Sequence, residues 1–368
     1  MSDLFIGLMS GTSLDGVDGV LVRLASASSP QVLAAVHADY PDALREAVLG
    51  ICATQSARLS VLGRVDVQIA RLYADVVAQL LAQAQLPPQA VRGIGSHGQT
   101  VHHEPLGETP FTMQLGDPNV LAARTGITVV ADFRRRDMAL GGQGAPLAPG
   151  FHELVFRHPS RCRVVLNTGG IANISVLQPQ QPCIGYDTGP ANILMDAWVQ
   201  KQHGLAYDED GRLARQGTLN VPLLARLRAD PYFALPPPKS TGREHFNIAW
   251  LEGHLSAIDQ PIASADVQRT LLELTATTVS DAIARHATSG DLLVAGGGAH
   301  NRALLERLQV LNPAWLVDTT ASVGVPPEQV EALAFAVFAQ RTLDGLPGNL
   351  PAVTGASRPC LLGGIYAP

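Results

Sequence analysis

The hydrophobic pattern at the start of the chain predicts a β-hairpin. Two apolar runs, residues 4–9 and 17–24, flank a short turn made of small polar residues. Apolar runs of this length on both sides of a turn are typical of paired strands. The same pattern returns at residues 163–166 and 171–177, which flank the sequence NTGG at 167–170. The chain is therefore predicted to contain two strand–polar turn–strand units.

Further elements are predicted from the spacing of apolar residues along the rest of the chain. Short buried strands are predicted at 91–95, 128–131 and 291–295, and helices at 59–85, 190–200, 266–286 and 328–343. Pro190 is placed as the first residue of its helix, where a missing N–H costs nothing. Asp266 is placed as the cap of the long helix that follows it.

These elements predict an α/β fold with two halves, each opening with one of the strand–turn–strand units. At 368 residues the chain is long enough for two domains, because single cores stop growing near ~250–300 residues. The first domain is predicted at residues 1–130, with the C-terminal segment from about 350 to 368 packing back onto it. The second is predicted at 131–349, and the glycine-rich loop at 141–146 is the expected crossover.

Composition restricts the classes of function. The chain is 46% hydrophobic and 16% charged, which is typical of a folded globular protein and not of a disordered one. Its formal net charge of -6 argues against a nucleic-acid partner. No apolar run is long enough to span a membrane, so we expect no membrane partner and a cytoplasmic location. The four cysteines are scattered without CxxC spacing and are expected to be reduced.

The composition of the two turns indicates anion binding. Glycines let a backbone approach a ligand closely, and hydroxyls and backbone amides add hydrogen-bond donors. The first turn also carries Asp15, whose carboxylate suits a hydrated Mg²⁺ better than a bare phosphate. The alternative is a hairpin of small polar residues that binds nothing. No GxxxxGK[ST] sequence occurs, which excludes a P-loop enzyme.

Eight segments of the chain carry a resemblance to a known family. They are GLMSGTSLDGVD (7–18), GSHGQTVHH (95–103), ADFRRRDMALGGQGAPL (131–147), LNTGGIANIS (166–175), GYDTGPAN (185–192), KSTGREHFN (239–247), AGGGAHN (295–301) and EALAFA (331–336). Together they resemble the anhydro-N-acetylmuramic acid kinase family, part of the actin/hexokinase/Hsp70-like superfamily. The resemblance implies a two-domain actin-like (ribonuclease H-like) ATPase fold with a cleft between the domains.

The resemblance also implies an activity. Members of the family use ATP and water to open 1,6-anhydro-N-acetylmuramic acid and phosphorylate its O6. The product is N-acetylmuramic acid 6-phosphate, formed during recycling of the cell-wall peptidoglycan. ATP and Mg²⁺ are the implied cofactors, an amino sugar is the implied small-molecule substrate, and a homodimer is the implied assembly.

The family motifs assign ligand-binding roles to residues of this chain by resemblance. The cofactor-binding residues are Gly11, Thr12, Ser13, Asp15, Gly16 and Asp18 in the first turn, Asn167, Thr168, Gly169, Gly170 and Asn173 in the second, and Gly296, Gly297, Gly298 and Asn301 in the third segment. The two turns are expected to hold the β- and γ-phosphates, and the glycine triplet the adenosine. The substrate-binding residues are His97, Gln99, Thr100, Asp132, Arg134 and Arg243. Asp15 and Glu331 are the expected organisers of Mg²⁺.

Asp187 is the predicted catalytic base. It lies in the sequence GYDTGPAN just before a predicted helix, where the helix dipole and free N–H groups favour a carboxylate. The implied substrate has no free 6-hydroxyl, so the base would activate the water that attacks C1, as in inverting glycosidases. The alternative for Asp187 is a cap of that helix.

Two other functions remain open at this point. One is an ordinary kinase on the same fold that phosphorylates a free sugar or a carboxylate. The other is an ATP-driven binding module of the chaperone type, although nearly all residues are taken up by the two halves. Turnover of anhydro- against reducing-sugar substrates separates the first from the leading hypothesis, and ATP hydrolysis without sugar dependence would indicate the second.

Overall fold

The computed structural model describes residues 3–11, 14, 16–25 and 30–368, and the chain divides into two compact units. Unit 1 comprises Met1–Val155 and Gln329–Pro368, and unit 2 comprises Phe156–Glu328. This division differs from the predicted boundary between residues 130 and 131. Residues 131–155 belong to unit 1, and the C-terminal return to unit 1 begins well before residue 350.

Both units combine helices and sheets, as predicted. The strands are β1 (Leu4–Met9), β2 (Gly16–Arg23), β3 (Gln31–Asp39), β4 (Gly93–Ser96), β5 (Gln99–Glu104), β6 (Phe111–Leu115), β7 (Val129–Ala131), β8 (Arg163–Thr168), β9 (Ile171–Leu177), β10 (Ile184–Pro190), β11 (Gly290–Ala295), β12 (Trp315–Thr319) and β13 (Gly364–Tyr366). The α-helices are α1 (Asp42–Thr54), α2 (Leu59–Ala84), α3 (Pro118–Thr125), α4 (Phe133–Ala139), α5 (Ala148–Phe156), α6 (Asn192–His203), α7 (Arg212–Gln216), α8 (Val221–Arg228), α9 (Pro231–Ala234), α10 (Ile248–Ser256), α11 (Ser264–Ala284), α12 (Arg302–Leu311), α13 (Val330–Leu343) and α14 (Pro351–Thr354). Among the described residues, no helix has both the length and the apolar character that a membrane crossing requires.

Unit 1 is built on a six-stranded sheet with the strand order β13-β7-β4-β1-β2-β3. β1 and β2 are antiparallel and form the predicted first hairpin, whereas β1, β4 and β7 run parallel. Helix α2 contacts β2 and β3 through a buried stripe that recurs at helical spacing, including Ile69, Tyr73 and Val76. β5 and β6 form a separate two-stranded sheet.

The sheet of unit 2 repeats this arrangement with the strand order β10-β9-β8-β11-β12. Its first strand, β8, is antiparallel to β9 and parallel to β11, just as β1 is antiparallel to β2 and parallel to β4. Beyond each hairpin the sheet continues with an antiparallel strand, β3 beside β2 and β10 beside β9. On the other side it continues with a parallel strand, β7 beside β4 and β12 beside β11. The predicted structural repeat of the two halves, and the second hairpin of β8 and β9, are therefore confirmed.

Helix α13 lies directly on β1 and β4, because both strands have a glycine at the point of contact. A Cβ on Gly7 would lie 1.8 Å from the carbonyl oxygen of Ala332, and one on Gly95 would lie 1.9 Å from that of Phe335. No side chain can occupy such a space, so only glycine allows this approach of helix to sheet. The contact fastens the returning C-terminal part of the chain to the start of unit 1.

The glycine-rich loop at 141–146, predicted as the crossover between domains, lies inside unit 1 and is held by a buried carboxylate. Asp137 is fully buried, and its Oδ2 accepts a hydrogen bond from the Gly144 N–H at 2.9 Å. Its Oδ1 accepts from Asn349 Nδ2 and from Thr354 Oγ1, both at 2.7 Å. Asp137 therefore joins this loop to the C-terminal segment.

Two helix starts differ from the prediction. Pro190 ends β10 instead of opening α6, which begins at Asn192. β10 is an edge strand of its sheet, where the missing N–H of proline is tolerated. Asp266 lies in the first turn of α11 and does not cap it, because its Oδ1 accepts a hydrogen bond from the Thr218 N–H at 2.6 Å.

Candidate active site

Three polar residues singled out by the sequence lie in one row across the sheet of unit 2. Asn173 on β9 is the register partner of Asn167 on β8 and of Asp187 on β10. Directly opposed residues of neighbouring strands point to the same face of a sheet, so the three side chains share one face. Tyr186, the residue before Asp187, points the other way into the buried core of the unit. The row places two amides beside one carboxyl group.

Asp187 is held by its neighbours in space from the segment 239–241. Its Oδ2 accepts a hydrogen bond from the Thr241 N–H at 3.0 Å, and its own N–H donates to the Lys239 carbonyl at 3.1 Å. The Tyr232 hydroxyl donates to the Asp187 carbonyl at 2.7 Å. Burial raises the pKa of Asp187 to about 6, with the Thr241 hydrogen bond opposing the rise and the nearby Glu244 adding to it.

Asp187 is not positioned by a helix N-terminus. The residue lies within β10, at a bulge between Asp187 and Gly189, and α6 has Ala191 as its N-cap without a side-chain cap. The helix-cap alternative is therefore excluded. The stabilising effect of a helix dipole is confined to the first turn, so it does not apply to this strand residue. A carboxyl group whose pKa is raised by burial is a better proton acceptor than an ordinary aspartate.

The second turn, between β8 and β9, is fastened to the start of α6. The Gly169 carbonyl accepts a hydrogen bond from the Asn192 N–H at 3.1 Å, and the Thr168 carbonyl accepts one from the Asn192 side chain at 3.0 Å. The Thr168 hydroxyl is fully buried and donates to the Ala295 carbonyl at 2.8 Å. The side chain of Thr168 therefore holds the second turn against β11.

Two glycines of the triplet are required by the fold itself. Gly296 has a φ of +76°, and a Cβ on it would lie 2.5 Å from the Oδ1 of Asn167. A Cβ on Gly298 would lie 2.5 Å from the Oγ1 of Thr168. These glycines let the residues after β11 pack against the second turn.

Three other predicted glycines have no such structural reason. Gly169, Gly170 and Gly297 have no left-handed φ, and a Cβ on them would meet no atom closer than 3.9, 3.6 and 3.7 Å, respectively. A Cβ at each of these three positions would make only ordinary van der Waals contact, so packing does not require glycine there. A glycine that packing does not require lets the backbone come close to a ligand.

Two further predicted residues of unit 2 lie at its surface segments. Asn301 is the N-cap of α12, and its Oδ1 accepts a hydrogen bond from the Leu304 N–H at 3.1 Å. Arg243 is exposed and belongs to the segment that also holds Asp187. The structure thus gives Asn301 a capping contact and leaves the guanidinium of Arg243 accessible.

The first turn, in unit 1, is braced by Gln99. Three of its predicted ligand-binding residues lie outside the described residues: Thr12, Ser13 and Asp15. Gln99 is fully buried, and its Nε2 donates to the Gly11 carbonyl at 3.2 Å. Its Oε1 accepts from the Tyr40 hydroxyl at 3.1 Å. Gln99, predicted to bind substrate, therefore positions the turn through Gly11.

Gly16 and Asp18 contact the neighbouring strand β3 through His37. The Oδ1 of Asp18 lies 2.7 Å from the Nδ1 of His37, and both side chains are about half exposed. A Cβ on Gly16 would lie 2.4 Å from the imidazole ring of His37. The pairing of β2 with β3 therefore gives Gly16 and Asp18 a role in the structure.

His97 and Arg134 form a buried pair in unit 1. The Nε of Arg134 donates to the Nε2 of His97 at 3.0 Å, and its Nη1 donates to the Gly144 carbonyl at 2.8 Å. Burial lowers the pKa of His97 well below its usual value, and the Arg134 cation acts in the same direction. Burial also lowers the pKa of Arg134 to about 10, opposed by the charge of Glu331. The neutral imidazole, which packs against Phe335, therefore orients a guanidinium that stays charged.

Asp132 and Thr100 complete the predicted residues of unit 1. Asp132 follows β7 with a φ of +62°, a backbone conformation that residues other than glycine seldom adopt. Its Oδ1 lies 3.4 Å from the Nε of Arg135, and burial raises its pKa while Arg135 opposes the rise. The Oγ1 of Thr100 accepts a hydrogen bond from the Nε2 of Gln114 at 3.2 Å.

Comparison with known proteins identifies the family. Residues 3–368 match the family described as anhydro-N-acetylmuramic acid kinase. The chain is also 50% identical over 368 residues to an anhydro-N-acetylmuramic acid kinase of Saccharophagus degradans, covering 99% of this chain and 99% of that protein. This chain belongs to the anhydro-N-acetylmuramic acid kinase family. The resemblance seen in the eight sequence segments is therefore confirmed.

Solved structures resemble the fold of this kinase. Component A of the (R)-2-hydroxyglutaryl-CoA dehydratase of Acidaminococcus fermentans aligns with a TM-score of 0.50 and 9% identity, covering 93% of this chain and 100% of that chain. The activator of the 2-hydroxyisocaproyl-CoA dehydratase from Clostridium difficile, solved with bound ADPNP, aligns with a TM-score of 0.47 and 12% identity over 91% of this chain and 94% of that one. The first likeness concerns the fold alone. With the repeated sheet order of the two units, it confirms the predicted two-domain α/β fold.

Sequence reasoning missed the residues that position Asp187 in this kinase. Tyr232 and Lys239 hold its backbone, whereas Thr241 and Glu244 act on its carboxyl group. The KSTGREHFN segment was a signal for three of them, since it stands out as a polar stretch after a proline run. Tyr232 carried no such signal, because its role depends on a contact that the chain order does not reveal.

Proposed function

We propose that this kinase uses ATP and water to open 1,6-anhydro-N-acetylmuramic acid and phosphorylates O6, giving N-acetylmuramic acid 6-phosphate and ADP. The observation that carries the proposal is the 50% identity, over 99% of both chains, to a protein named for a kinase of this sugar. The geometry of unit 2 supports it with a carboxyl group, Asp187, whose pKa of about 6 suits a proton acceptor near neutral pH.

Asp187 is proposed to act on water and not on a sugar hydroxyl. In the anhydro-sugar, O6 is bonded to C1 and carries no proton, so no 6-hydroxyl exists to be activated. The water oxygen forms the new bond to C1 and its proton passes to Asp187, while the C1–O6 bond breaks. O6 takes the γ-phosphoryl group, and ADP leaves. Since phosphorus captures O6, this step needs no acid to protonate the leaving oxygen.

The open glycines of unit 2 are the proposed points of closest approach for ATP. Packing does not require glycine at Gly169, Gly170 and Gly297, and the lack of a side chain there suits a phosphate chain or a nucleoside lying against the backbone. Asn167 and Asn173 share the face of Asp187 and can donate amide hydrogens to phosphate oxygens. In unit 1, Gly11 and the turn around it are proposed to contribute in the same way.

Mg²⁺ is proposed to be held mainly by phosphate oxygens and waters, as is usual for this ion in kinases. Among the described residues, no group of three His, Cys, Asp or Glu side chains could hold a metal ion. Glu331 lies near the Arg134 cation, which favours an indirect role through water. Asp15 lies outside the described residues and keeps its proposed role from the resemblance.

Arg134 is the proposed partner of the lactyl carboxylate or of the transferring phosphate. His97 and Gly144 fix its Nε and Nη1. The guanidinium thereby has one orientation, which favours a bidentate contact with a planar or tetrahedral anion. His97 acts in this proposal as a positioning residue. Thr100, Asp132 and Arg243 are proposed to contact the sugar, on the resemblance alone.

The proposal extends to a cytoplasmic role in peptidoglycan recycling and to a homodimer, both of which rest on the family resemblance. An ordinary sugar kinase remains the alternative, because it would share the fold and the phosphate-binding turns. The two differ in whether the acceptor is an anhydro-sugar or a reducing sugar.

Phosphate transfer to each acceptor separates these functions. The protein is incubated with ATP and either 1,6-anhydro-N-acetylmuramic acid or N-acetylmuramic acid, and the 6-phosphate is measured by ³¹P NMR. We expect turnover of the anhydro-sugar, with kcat lowered about 10²–10⁴-fold in Asp187→Asn. Asp75→Asn, an exposed aspartate of unit 1, is the control and should retain full activity. A wild type that phosphorylates only the reducing sugar would contradict the proposal.

A further inference from the structure

Unit 2 contains a cavity beside β10, on the opposite side of the strand from Asp187. It has a volume of about 330 Å³. Tyr186, whose side chain alternates with that of Asp187 along the strand, forms part of its wall. The rest is formed by the region of α8 and α9, by the C-terminal turns of α11, and by Lys239. The proposed reaction uses none of this space.

Two cations line the cavity without a carboxylate partner among the described residues. The Nζ of Lys239 donates to the Tyr232 carbonyl at 3.0 Å, and the Nη2 of Arg285 approaches the Phe233 carbonyl at 3.5 Å. Burial lowers the pKa of Lys239, and the charge of the nearby Arg285 lowers it further. The two positive charges are therefore close enough to repel each other across the cavity wall.

The carboxylates that also line the cavity are already engaged. Asp281 forms an ion pair with Arg228 at 2.5 Å. Asp230 accepts hydrogen bonds at 3.0 Å from the Nε2 of His245 and the Nε1 of Trp250. Neither carboxylate neutralises Lys239 or Arg285. Lys239 and Arg285 therefore give the cavity wall an excess of positive charge.

We propose that this cavity binds a phosphorylated small molecule about the size of a monosaccharide phosphate. A phosphate monoester carries nearly two negative charges and three acceptor oxygens, so it can accept hydrogen bonds from Lys239 and Arg285 together and nearly match their combined charge. Phe233 and Ala282 give the wall an apolar part against which a sugar ring packs. The volume lies at the lower end of the ~300–1,000 Å³ typical of small-molecule sites, which fits a single sugar ring.

The cavity is connected to Asp187 through Lys239. The Lys239 carbonyl accepts the Asp187 N–H, and Thr241, two residues further on, donates to the Asp187 carboxylate. A ligand that draws the ammonium of Lys239 into the cavity therefore acts on the segment that holds Asp187. This link between the cavity and catalysis rests on the proposed function of Asp187, whereas binding in the cavity does not.

The test is calorimetric titration of the full-length protein with glucose 6-phosphate in the presence of saturating ADP, which occupies nucleotide sites. We expect binding by the wild type, and a dissociation constant raised about tenfold or more in Arg285→Gln because a charge-assisted hydrogen bond is lost. Arg226→Gln, an exposed arginine of α8 outside the cavity, is the matched control and should bind as the wild type does. Arg134→Gln, which removes the proposed anion contact of the active site in unit 1, should also bind normally, which distinguishes the cavity from the proposed active site.

Four outcomes would overturn the proposal. The first three are an absence of binding at millimolar glucose 6-phosphate, unchanged binding in Arg285→Gln, and equal binding of unphosphorylated glucose. Inorganic phosphate is expected to bind more weakly than glucose 6-phosphate, and equal affinity would contradict a sugar-sized occupant. Because no turnover is measured, a failure here leaves the proposed kinase reaction untouched, and a failure of that reaction leaves this result standing.

Discussion

At the scale of single residues, the environment of Asp187 decides its chemistry. The local sequence predicts a carboxylate just before a helix, where the helix dipole and free N–H groups favour the charged form. In the folded unit the carboxyl group is largely buried, receives one N–H from Thr241, and lies near Glu244. Burial therefore has the larger effect, and the pKa is raised to about 6. This balance depends on contacts distant in the chain and could not be predicted from the motif.

The pH dependence of catalysis follows from that balance. A base must be deprotonated to accept a proton, so kcat/KM should fall as the pH drops through about 6. Glu244 raises the pKa of Asp187, so Glu244→Gln should move this acidic limb to lower pH. The measurement is the pH profile of kcat/KM for the anhydro-sugar.

The control for the pH experiment is Glu46→Gln, an exposed glutamate on α1 in unit 1, which should leave the acidic limb in place. A wild-type limb near pH 4 would contradict the assignment of Asp187 as the base.

Asp187→Asn should remain folded and be at least as stable as the wild type at pH 8. A raised carboxyl pKa means that the folded state loses stability as the pH rises through about 6, and the amide removes that cost.

The glycine triplet provides a matched pair of substitutions. In Gly298→Ala the new Cβ would lie 2.5 Å from Thr168 Oγ1, so we expect a loss of about 1–3 kcal/mol of stability. In Gly297→Ala the nearest atom is 3.7 Å away, so stability should be retained. The KM for ATP should instead rise about tenfold, which corresponds to about 1.4 kcal/mol of binding.

Thermal unfolding and steady-state kinetics of both glycine variants separate structure from binding. We expect a lower melting temperature for Gly298→Ala and a higher KM for ATP for Gly297→Ala. If Gly297→Ala bound ATP like the wild type, this glycine would not face the nucleotide.

At the scale of elements, the hydrophobic pattern predicts the strongly periodic parts of the fold and fails at edges. Both hairpins and the helices at 59–85 and 328–343 are confirmed within a few residues. The edge strands β3 and β13 were not predicted. β13 is only three residues long and carries little periodic signal, whereas β3 contains the apolar run VLAAV at 32–36, which indicates a strand. Pro190 was misplaced because proline suits both the first turn of a helix and an edge strand.

The contact of α13 with β1 and β4 is the element-scale feature most sensitive to substitution. Gly7→Ala would place a Cβ 1.8 Å from the Ala332 carbonyl oxygen, so we expect a loss of at least about 1–3 kcal/mol in the free energy of unfolding. Gly63→Ala is the control, since a Cβ there meets nothing within 4 Å in α2 and should add up to about 1 kcal/mol. Urea unfolding measures both. Equal stability of Gly7→Ala and the wild type would show that α13 does not pack against β1 as described.

At the scale of the whole molecule, the chain leaves unit 1 and returns to it. The sequence indicates two α/β halves, but their boundary depends on which segments pack together, and this has no local signal. The segment 131–155 stays in unit 1 because Asp137 binds Asn349 and Thr354 of the returning chain. β13 also pairs with β7 in the same unit. From the sequence alone, a buried carboxylate of this kind cannot be distinguished from a surface aspartate.

Asp137 is therefore predicted to be a structural residue of the whole chain. Asp137→Asn would turn one acceptor oxygen into a donor that faces other donors, so we expect a loss of about 1–3 kcal/mol in the free energy of unfolding. Asp75→Asn in the same unit removes an exposed ion pair with Arg124 and should cost about 0–1 kcal/mol. Urea unfolding followed by circular dichroism compares the two. Equal effects of both substitutions would contradict the role of Asp137 in joining the C-terminal segment to unit 1.

The proposed reaction combines hydrolysis of the anhydro bond with phosphorylation, and Asp187 activates the water. The most direct measurement is turnover of 1,6-anhydro-N-acetylmuramic acid with ATP in ¹⁸O-water, followed by mass spectrometry of the product. We predict one ¹⁸O at C1 and none in the 6-phosphate, with product formation slowed about 10²–10⁴-fold in Asp187→Asn. Label in the phosphate group, or an Asp187→Asn variant as active as the wild type, would contradict this mechanism.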